Sequence, residues 1–258
     1  MSMALTTPMG RMTSLARAEL TLLGRSRGTL FAALFVPLIL PLSAREAAKQ
    51  MDLAEVGLTL GTVILPASIG FSLLYAVYAT LVSVYTARRE ELVLKRLRTG
   101  ELRDTEILTG AALPAVVTGL AQCVVLAIGC TVLLDVGAPR APHLAVLGLL
   151  LGIFLCVSLA AVTSAFTRSV ESAQVTTLPV VFLSMIFSGM FVPLEILPDR
   201  VASACELLPL TPVITLVRGG WTGGLSASEA LGAMLVALVW TVGGVFAVRR
   251  WFRWEPRR

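Results

Sequence analysis

Ionisable side chains are scarce in this sequence and are missing from long parts of it. Of its 258 residues, 14% are charged and 56% are hydrophobic. Six stretches contain no Asp, Glu, Lys, Arg or His, and these are residues 28–44, 57–86, 107–134, 144–167, 172–194 and 230–248. A helix of about 20 apolar residues, with a range of roughly 17–25, spans a bilayer. The sequence therefore predicts an all-α, polytopic membrane protein with six transmembrane helices.

Groups for catalysis are equally scarce. The one histidine, His143, has no carboxylate or cysteine beside it, and the four cysteines form no C-x-x-C or Cys/His cluster. The two lysines, Lys49 and Lys95, do not lie in the Gly-Lys-Ser/Thr sequence of a phosphate-binding loop. We therefore expect no catalytic residue, no metal and no cofactor bound by this chain. If ATP drives the protein, another polypeptide binds the nucleotide.

The basic residues indicate the orientation in the membrane. Sixteen of the 21 Lys and Arg residues lie in the leader 1–27, in the second and fourth connections and in the tail 249–258. Because cytoplasmic segments carry the excess of basic residues, we expect both termini in the cytoplasm. The net charge of +5 then reflects topology and predicts no nucleic-acid partner. Arginine far outnumbers lysine, which suggests a high-GC bacterial genome and hence a bacterial plasma membrane.

The leader alternates leucine with charged residues over positions 15–25, a pattern typical of an amphipathic helix on the cytoplasmic face. A solvated leader is the alternative. A signal peptide is a further alternative for the first stretch, although 27 preceding residues are long for its N-terminal region.

The connection between the second and third stretches is the most highly charged. Val93, Leu94 and Leu97 share one helical face, and Thr99-Gly100 is typical of a helix end. The pattern predicts a short amphipathic helix over residues 87–100, parallel to the membrane on the cytoplasmic side. A simple positively charged anchor is the alternative.

Prolines interrupt the connection after the fifth stretch, on the outer side. Its apolar segments 196–208 and 210–217 are too short to span a bilayer. Irregular backbone at membrane depth requires cover by protein or a wet cavity. We predict two short re-entrant helices within residues 195–220 that form an extracellular lid; an ordinary surface loop is the alternative. The lid residues are Gly189, Pro193, Pro198, Pro209 and Pro212.

These features together resemble one family. They are the leader, the six stretches, the helix reading Arg-Glu-Glu…Lys-Arg-Leu-Arg, and the Gly…Pro…Leu-Pro…Leu-Pro-Leu-Thr-Pro…Arg block of residues 189–218. The chain resembles membrane subunits of type-2 ATP-binding-cassette exporters, in particular bacterial daunorubicin-type antibiotic-resistance permeases. It departs from many members at residues 98–102, where they carry Thr-Pro or Ser-Pro.

The resemblance implies a non-catalytic permease subunit that exports a hydrophobic or amphipathic molecule, such as a drug, an antibiotic or a lipid-like compound. Two separate ATPase subunits would bind ATP and Mg and dock below the membrane. A second permease subunit would complete the pathway, with a homodimer favoured. The helix 87–100 would be the coupling helix, and spans two and five would line the pathway.

The residues implied in these roles form two sets. The coupling residues would be Arg88, Arg89, Glu90, Glu91, Val93, Lys95, Arg96, Leu97, Arg98 and Thr99. The pathway residues would be Phe71, Tyr75, Tyr78, Phe182, Met185 and Met190, since aromatic and Met side chains suit a large amphipathic substrate.

Two other functions stay open at this point. A secondary carrier would work alone on an ion gradient, although spans without ionisable residues disfavour proton coupling. A non-transporting scaffold would act independently of any substrate. At the end of the chain, Trp251, Phe252 and Trp254 alternate with arginines and predict an anchor at the membrane interface.

Overall fold

The computed structural model describes residues 59–100, 103–134, 136–190, 192–252 and 254–255, without the side chain of Glu195. The predicted leader helix and first span lie outside the described residues. Throughout the described part the regular structure is helical, with no strand. The helices are α1 (Leu60–Glu90), α2 (Val93–Arg98), α3 (Asp104–Leu134), α4 (Pro142–Phe166), α5 (Val170–Phe187), α6 (Asp199–Glu206), α7 (Thr211–Thr222) and α8 (Ala227–Trp251).

Five of these helices, α1, α3, α4, α5 and α8, are long and apolar enough to cross a membrane. They coincide with the second to sixth predicted stretches. The short helices α6 and α7 meet at 99° and together form either a broken span or a re-entrant loop, where the sequence predicts a re-entrant pair. The all-α, multi-pass architecture is therefore confirmed.

Local sequence explains where several of the long helices begin. At three N-termini the hydroxyl of the first residue accepts a hydrogen bond from the backbone N–H of the residue three positions later. The side chain of that later residue accepts a hydrogen bond from the backbone N–H of the first. These reciprocal caps are Thr59 with Thr62 in α1, Ser169 with Ser172 in α5, and Ser226 with Glu229 in α8. Each cap satisfies backbone donors that the helix itself leaves unpaired.

Helix α1 is the most buried span, and a π-helical segment, Leu73–Ala79, interrupts it midway. The wider turn places Leu73, Val77 and Tyr78 in the core, where they are fully buried. The Thr80 hydroxyl donates a hydrogen bond to the Tyr75 carbonyl (2.9 Å) and helps to hold this turn.

Glycines bring the re-entrant helix α7 close to α4. A Cβ atom added at Gly220 would lie 2.6 Å from the Cβ of Ala145, and one added at Gly148 would lie 2.9 Å from the Cβ of Leu216. Small residues permit such close approach between helices in a membrane. The lid helix is thus packed directly against a spanning helix.

Candidate coupling site and pathway

A sharp bend separates α1 from α2. Leu92 adopts a left-handed conformation (φ 59°, ψ 14°) and is the single non-glycine residue with positive φ in the described part of the chain. This conformation costs an L-residue roughly 1–2 kcal/mol. The helix predicted over residues 87–100 is therefore two pieces. Residues 87–90 extend the span, and only 93–98 form the separate helix α2.

The apolar face of α2 seats it on the bundle, and its charged residues face outward. Leu94 is fully buried, while Val93 and Leu97 are half-buried. Arg88, at the end of α1, is also half-buried. The exposed predicted coupling residues are Glu90, Glu91, Lys95, Arg96, Arg98 and Thr99. The most exposed apolar residue of this region is Leu92, at 43%, which sequence reasoning did not select.

Arg89 does not belong to this exposed surface. Its side chain is only 1% exposed. Its guanidinium donates hydrogen bonds to the carbonyl of Ser164 (2.6 Å, from Nη1) and to that of Thr167 (from Nη2) at the end of α4. The last carbonyls of a helix lack intrahelical partners and carry partial negative charge. The prediction of Arg89 as a contact for an ATPase is therefore corrected, because the residue fastens the cytoplasmic end of α1 to α4.

The other cations of α2 have partners within the chain. Arg98 makes a two-pronged ion pair with Asp104 (Nε to Oδ1 3.0 Å, Nη2 to Oδ2 3.3 Å). Lys95 Nζ lies 2.7 Å from Oε1 of Glu255. The carboxylates of Glu90 and Glu91 form no ion pair or hydrogen bond with any described residue. The exposed charges beside the apolar Leu92 are thus the acidic Glu90 and Glu91, together with Arg96, whose guanidinium donates a hydrogen bond to the Glu91 carbonyl (2.7 Å).

The chain after α8 turns back onto this site. The Trp254 ring centre lies 4.8 Å from Cζ of Arg98. Phe252 makes edge-to-face contacts with Trp254 (5.1 Å between ring centres) and with Tyr85 of α1 (6.4 Å). Of the predicted interface anchor, Phe252 and Trp254 thus pack on protein, and Trp251 is 55% exposed.

The predicted pathway residues divide into exposed and buried groups. Tyr78 is fully buried, its hydroxyl 3.1 Å from Oγ1 of Thr163, and Met190 is 3% exposed. Both are core residues, so neither presents a free surface to a substrate in this structure. Phe71 and Tyr75 stack at 4.3 Å between ring centres on the surface of α1. The remaining two both lie on α5: Phe182 is exposed and Met185 is half-buried.

The predicted lid is fastened at both of its ends. The Arg218 guanidinium on α7 donates a hydrogen bond to the Gly189 carbonyl (2.8 Å), where the chain leaves α5 with φ +72°. Trp240 Nε1 on α8 donates one to the Leu207 carbonyl (2.8 Å) at the end of α6. Of the predicted lid prolines, Pro193, Pro209 and Pro212 are buried and Pro198, before α6, is exposed. Sequence reasoning had not assigned these fastening roles to Arg218 or Trp240.

A cavity of about 560 Å³ lies between the lid and α8. Its lining combines apolar residues with the acidic residues Asp199, Glu206 and Glu229.

The architecture is that of a multi-pass helical membrane protein with an acidic bend after α1 and a bent pair of short helices, α6 and α7, between α5 and α8. The model of the ABC-2 type transporter family matches residues 11–221, which is most of the chain. The protein belongs to this family and is a membrane component of an ABC transporter. Membership confirms the predicted type-2 resemblance and implies an ABC ATPase as partner. No curated protein matches the chain significantly.

Proposed function

We propose that the protein is the permease subunit of an ATP-driven exporter in a bacterial plasma membrane. It moves a hydrophobic or amphipathic molecule outward, and two separate ATPase subunits, with ATP and Mg, supply the energy. The observation that carries the proposal is the exposed, charged bend directly below the buried span α1. An outward direction and a drug, antibiotic or lipid-like substrate rest on the resemblance to exporters.

The bend is suited to transmit force into the membrane. Only Glu91 and Leu92 separate α2 from α1, and the buried Leu94 holds α2 against the bundle. A push on α2 therefore acts on α1, and through Arg89 it also acts on the end of α4. Since Glu90 and Glu91 form no ion pair with a described residue, we expect them to meet basic residues of the ATPase, beside an apolar pocket for Leu92.

The substrate would contact the faces of α1 and α5 that are exposed on the surface of the helix bundle. The stacked rings of Phe71 and Tyr75 and the exposed ring of Phe182 present apolar, polarisable surface. To enclose a drug-sized molecule against these exposed side chains, the pathway requires a second wall. A second copy of the chain would supply this wall, which is why a homodimer is favoured.

The test is affinity purification in mild detergent with mass spectrometry of the co-purifying proteins. We expect a stoichiometric ATPase with the native chain. The double variant E90K/E91K should lose it by about tenfold or more, because unpaired like charges at an interface are strongly unfavourable. The matched control is E206K, a charge reversal on the lid, which should retain the ATPase.

Recovery of the native protein without any ATPase would contradict the proposal, provided that the same conditions keep a known exporter intact. Transport that persists after ATP depletion and follows an ion gradient would then identify a secondary carrier. Retention of the ATPase by E90K/E91K would show that the docking surface lies elsewhere than at the bend.

A further inference from the structure

The helix α2 has only six residues, and isolated helices of this length are not stable in water. Of its six side chains only Leu94 is buried. It is joined to α1 through the left-handed Leu92 and leaves through the turn at Thr99 and Gly100. Its orientation must therefore be set by contacts from outside the helix.

The segment that follows α8 supplies such contacts on the charged side of α2. Trp254 covers Arg98 from one side, and Asp104 binds the same guanidinium through two hydrogen bonds. Glu255 reaches Lys95, one turn earlier on α2. This ion pair is exposed, with 52% and 66% of the two side chains accessible, and exposed pairs contribute little. The contact between Trp254 and Arg98 thus holds α2 more strongly than the ion pair between Glu255 and Lys95 does.

Phe252 connects this contact to the spans. Its ring lies between Trp254 and Tyr85 of α1. The Tyr85 hydroxyl in turn donates a hydrogen bond to the Leu108 carbonyl of α3 (3.1 Å). Four helices, α1, α2, α3 and α8, therefore meet around one aromatic cluster.

We propose that Phe252, Trp254 and Glu255, which we call the tail clamp, are a positioning element of the coupling site. The tail clamp sets the orientation in which α2 meets the ATPase, and it ties α8 to α2 so that a displacement of α2 also displaces α8. The second half of this statement rests on the proposed function. Midway along α8, the indole of Trp240 holds the lid at the Leu207 carbonyl. The tail clamp therefore gives the ATPase a mechanical connection to the lid that does not pass through α1.

The contact itself can be tested by carbodiimide cross-linking of the intact protein in membranes, because the chain has only two lysines. The reagent activates the Glu255 carboxylate, the Lys95 amine attacks it, an amide forms and the reagent leaves as a urea. After trypsin digestion, we expect residues 90–96 linked to residues 254–257. The control K95R keeps the charge but should give no product. Absence of the linked peptide from the native protein would overturn the proposal.

The positioning role is tested with W254A against the matched control W251A, since Trp251 is an exposed neighbour whose ring contacts no described residue of α2. Loss of the Trp254 contacts with Arg98 and Phe252 should speed amide hydrogen exchange in residues 93–99 roughly 5- to 30-fold. In the reconstituted complex, W254A should lower the substrate transported per ATP hydrolysed. W254F should restore part of the slow hydrogen exchange and part of the transport per ATP. W251A should change neither quantity.

Equal behaviour of W254A and W251A in exchange and in transport per ATP would refute the tail clamp. Faster exchange with unchanged transport per ATP would limit it to a fold contact and overturn the positioning role. Because hydrogen exchange needs no ATPase, its result distinguishes failure of the tail clamp from failure of the exporter hypothesis.

Discussion

Replacing Arg89 with methionine removes a buried guanidinium but keeps much of the side-chain volume. The native residue is 1% exposed and bonds the carbonyls of Ser164 and Thr167 at the end of α4. A hydrogen bond to a charged group contributes about 1.5–3 kcal/mol, so the two together contribute about 3–6 kcal/mol. Removing the charge regains part of its desolvation cost. We therefore expect R89M to lower the free energy of unfolding by about 3 kcal/mol.

Reversible unfolding in mixed detergent, followed by circular dichroism, measures this difference. R89K should lose about half as much, because a single ammonium group keeps the charge but cannot reproduce the planar fork of the guanidinium. R96M is the matched control. Arg96 is exposed and makes one hydrogen bond, to the Glu91 carbonyl, so its replacement should stay within about 0.5 kcal/mol. An R89M variant as stable as R96M would refute the role assigned to Arg89.

Three further outcomes follow from the packing. G220A places a Cβ 2.6 Å from the Cβ and backbone nitrogen of Ala145 and should cost about 1–3 kcal/mol of unfolding free energy. In the control G232A the added Cβ meets nothing within 4 Å, and the variant should stabilise α8 by up to about 1 kcal/mol. Equal effects of the two variants would contradict the close packing of α7 on α4. Y75A should lower transport of a hydrophobic dye severalfold while retaining the ATPase, and unchanged transport would remove the Phe71–Tyr75 stack from the pathway. Cys205 is 4% exposed, so a membrane-impermeant maleimide should label it only after unfolding; rapid labelling of the folded protein would contradict its burial.

The positions of the spans could be predicted from the sequence because a bilayer tolerates few charges and demands continuous helices. The charge-free stretches 57–86 and 107–134 locate α1 and α3 within a few residues. The prolines around residues 193–212 likewise predict two short helices, since proline is tolerated in the first turn of a helix and is costly in its interior.

The bend and the interior contacts could not be predicted, for physical reasons. A leucine carries no mark of a left-handed backbone, so the break at Leu92 is invisible in the sequence. Arg89 lies beside exposed charged residues in the chain, and its burial depends on carbonyls 75 and 78 residues away. Aromatic residues one turn apart look alike in a helical pattern, although Tyr75 is exposed and Tyr78 forms part of the core.

The π-helical segment of α1 divides this span into two halves that need not share one rotational setting. Each π-turn holds one residue more than an α-turn. Conversion of Leu73–Ala79 to regular α-helix would rotate the cytoplasmic half by about 100° per residue absorbed and shift it by about 1.5 Å along the axis. The upper half begins beside the lid, and the lower half ends at the acidic bend. The π-helical segment would thus be a point of rotation within the span, at which the bend could change direction while the outer half stays in place.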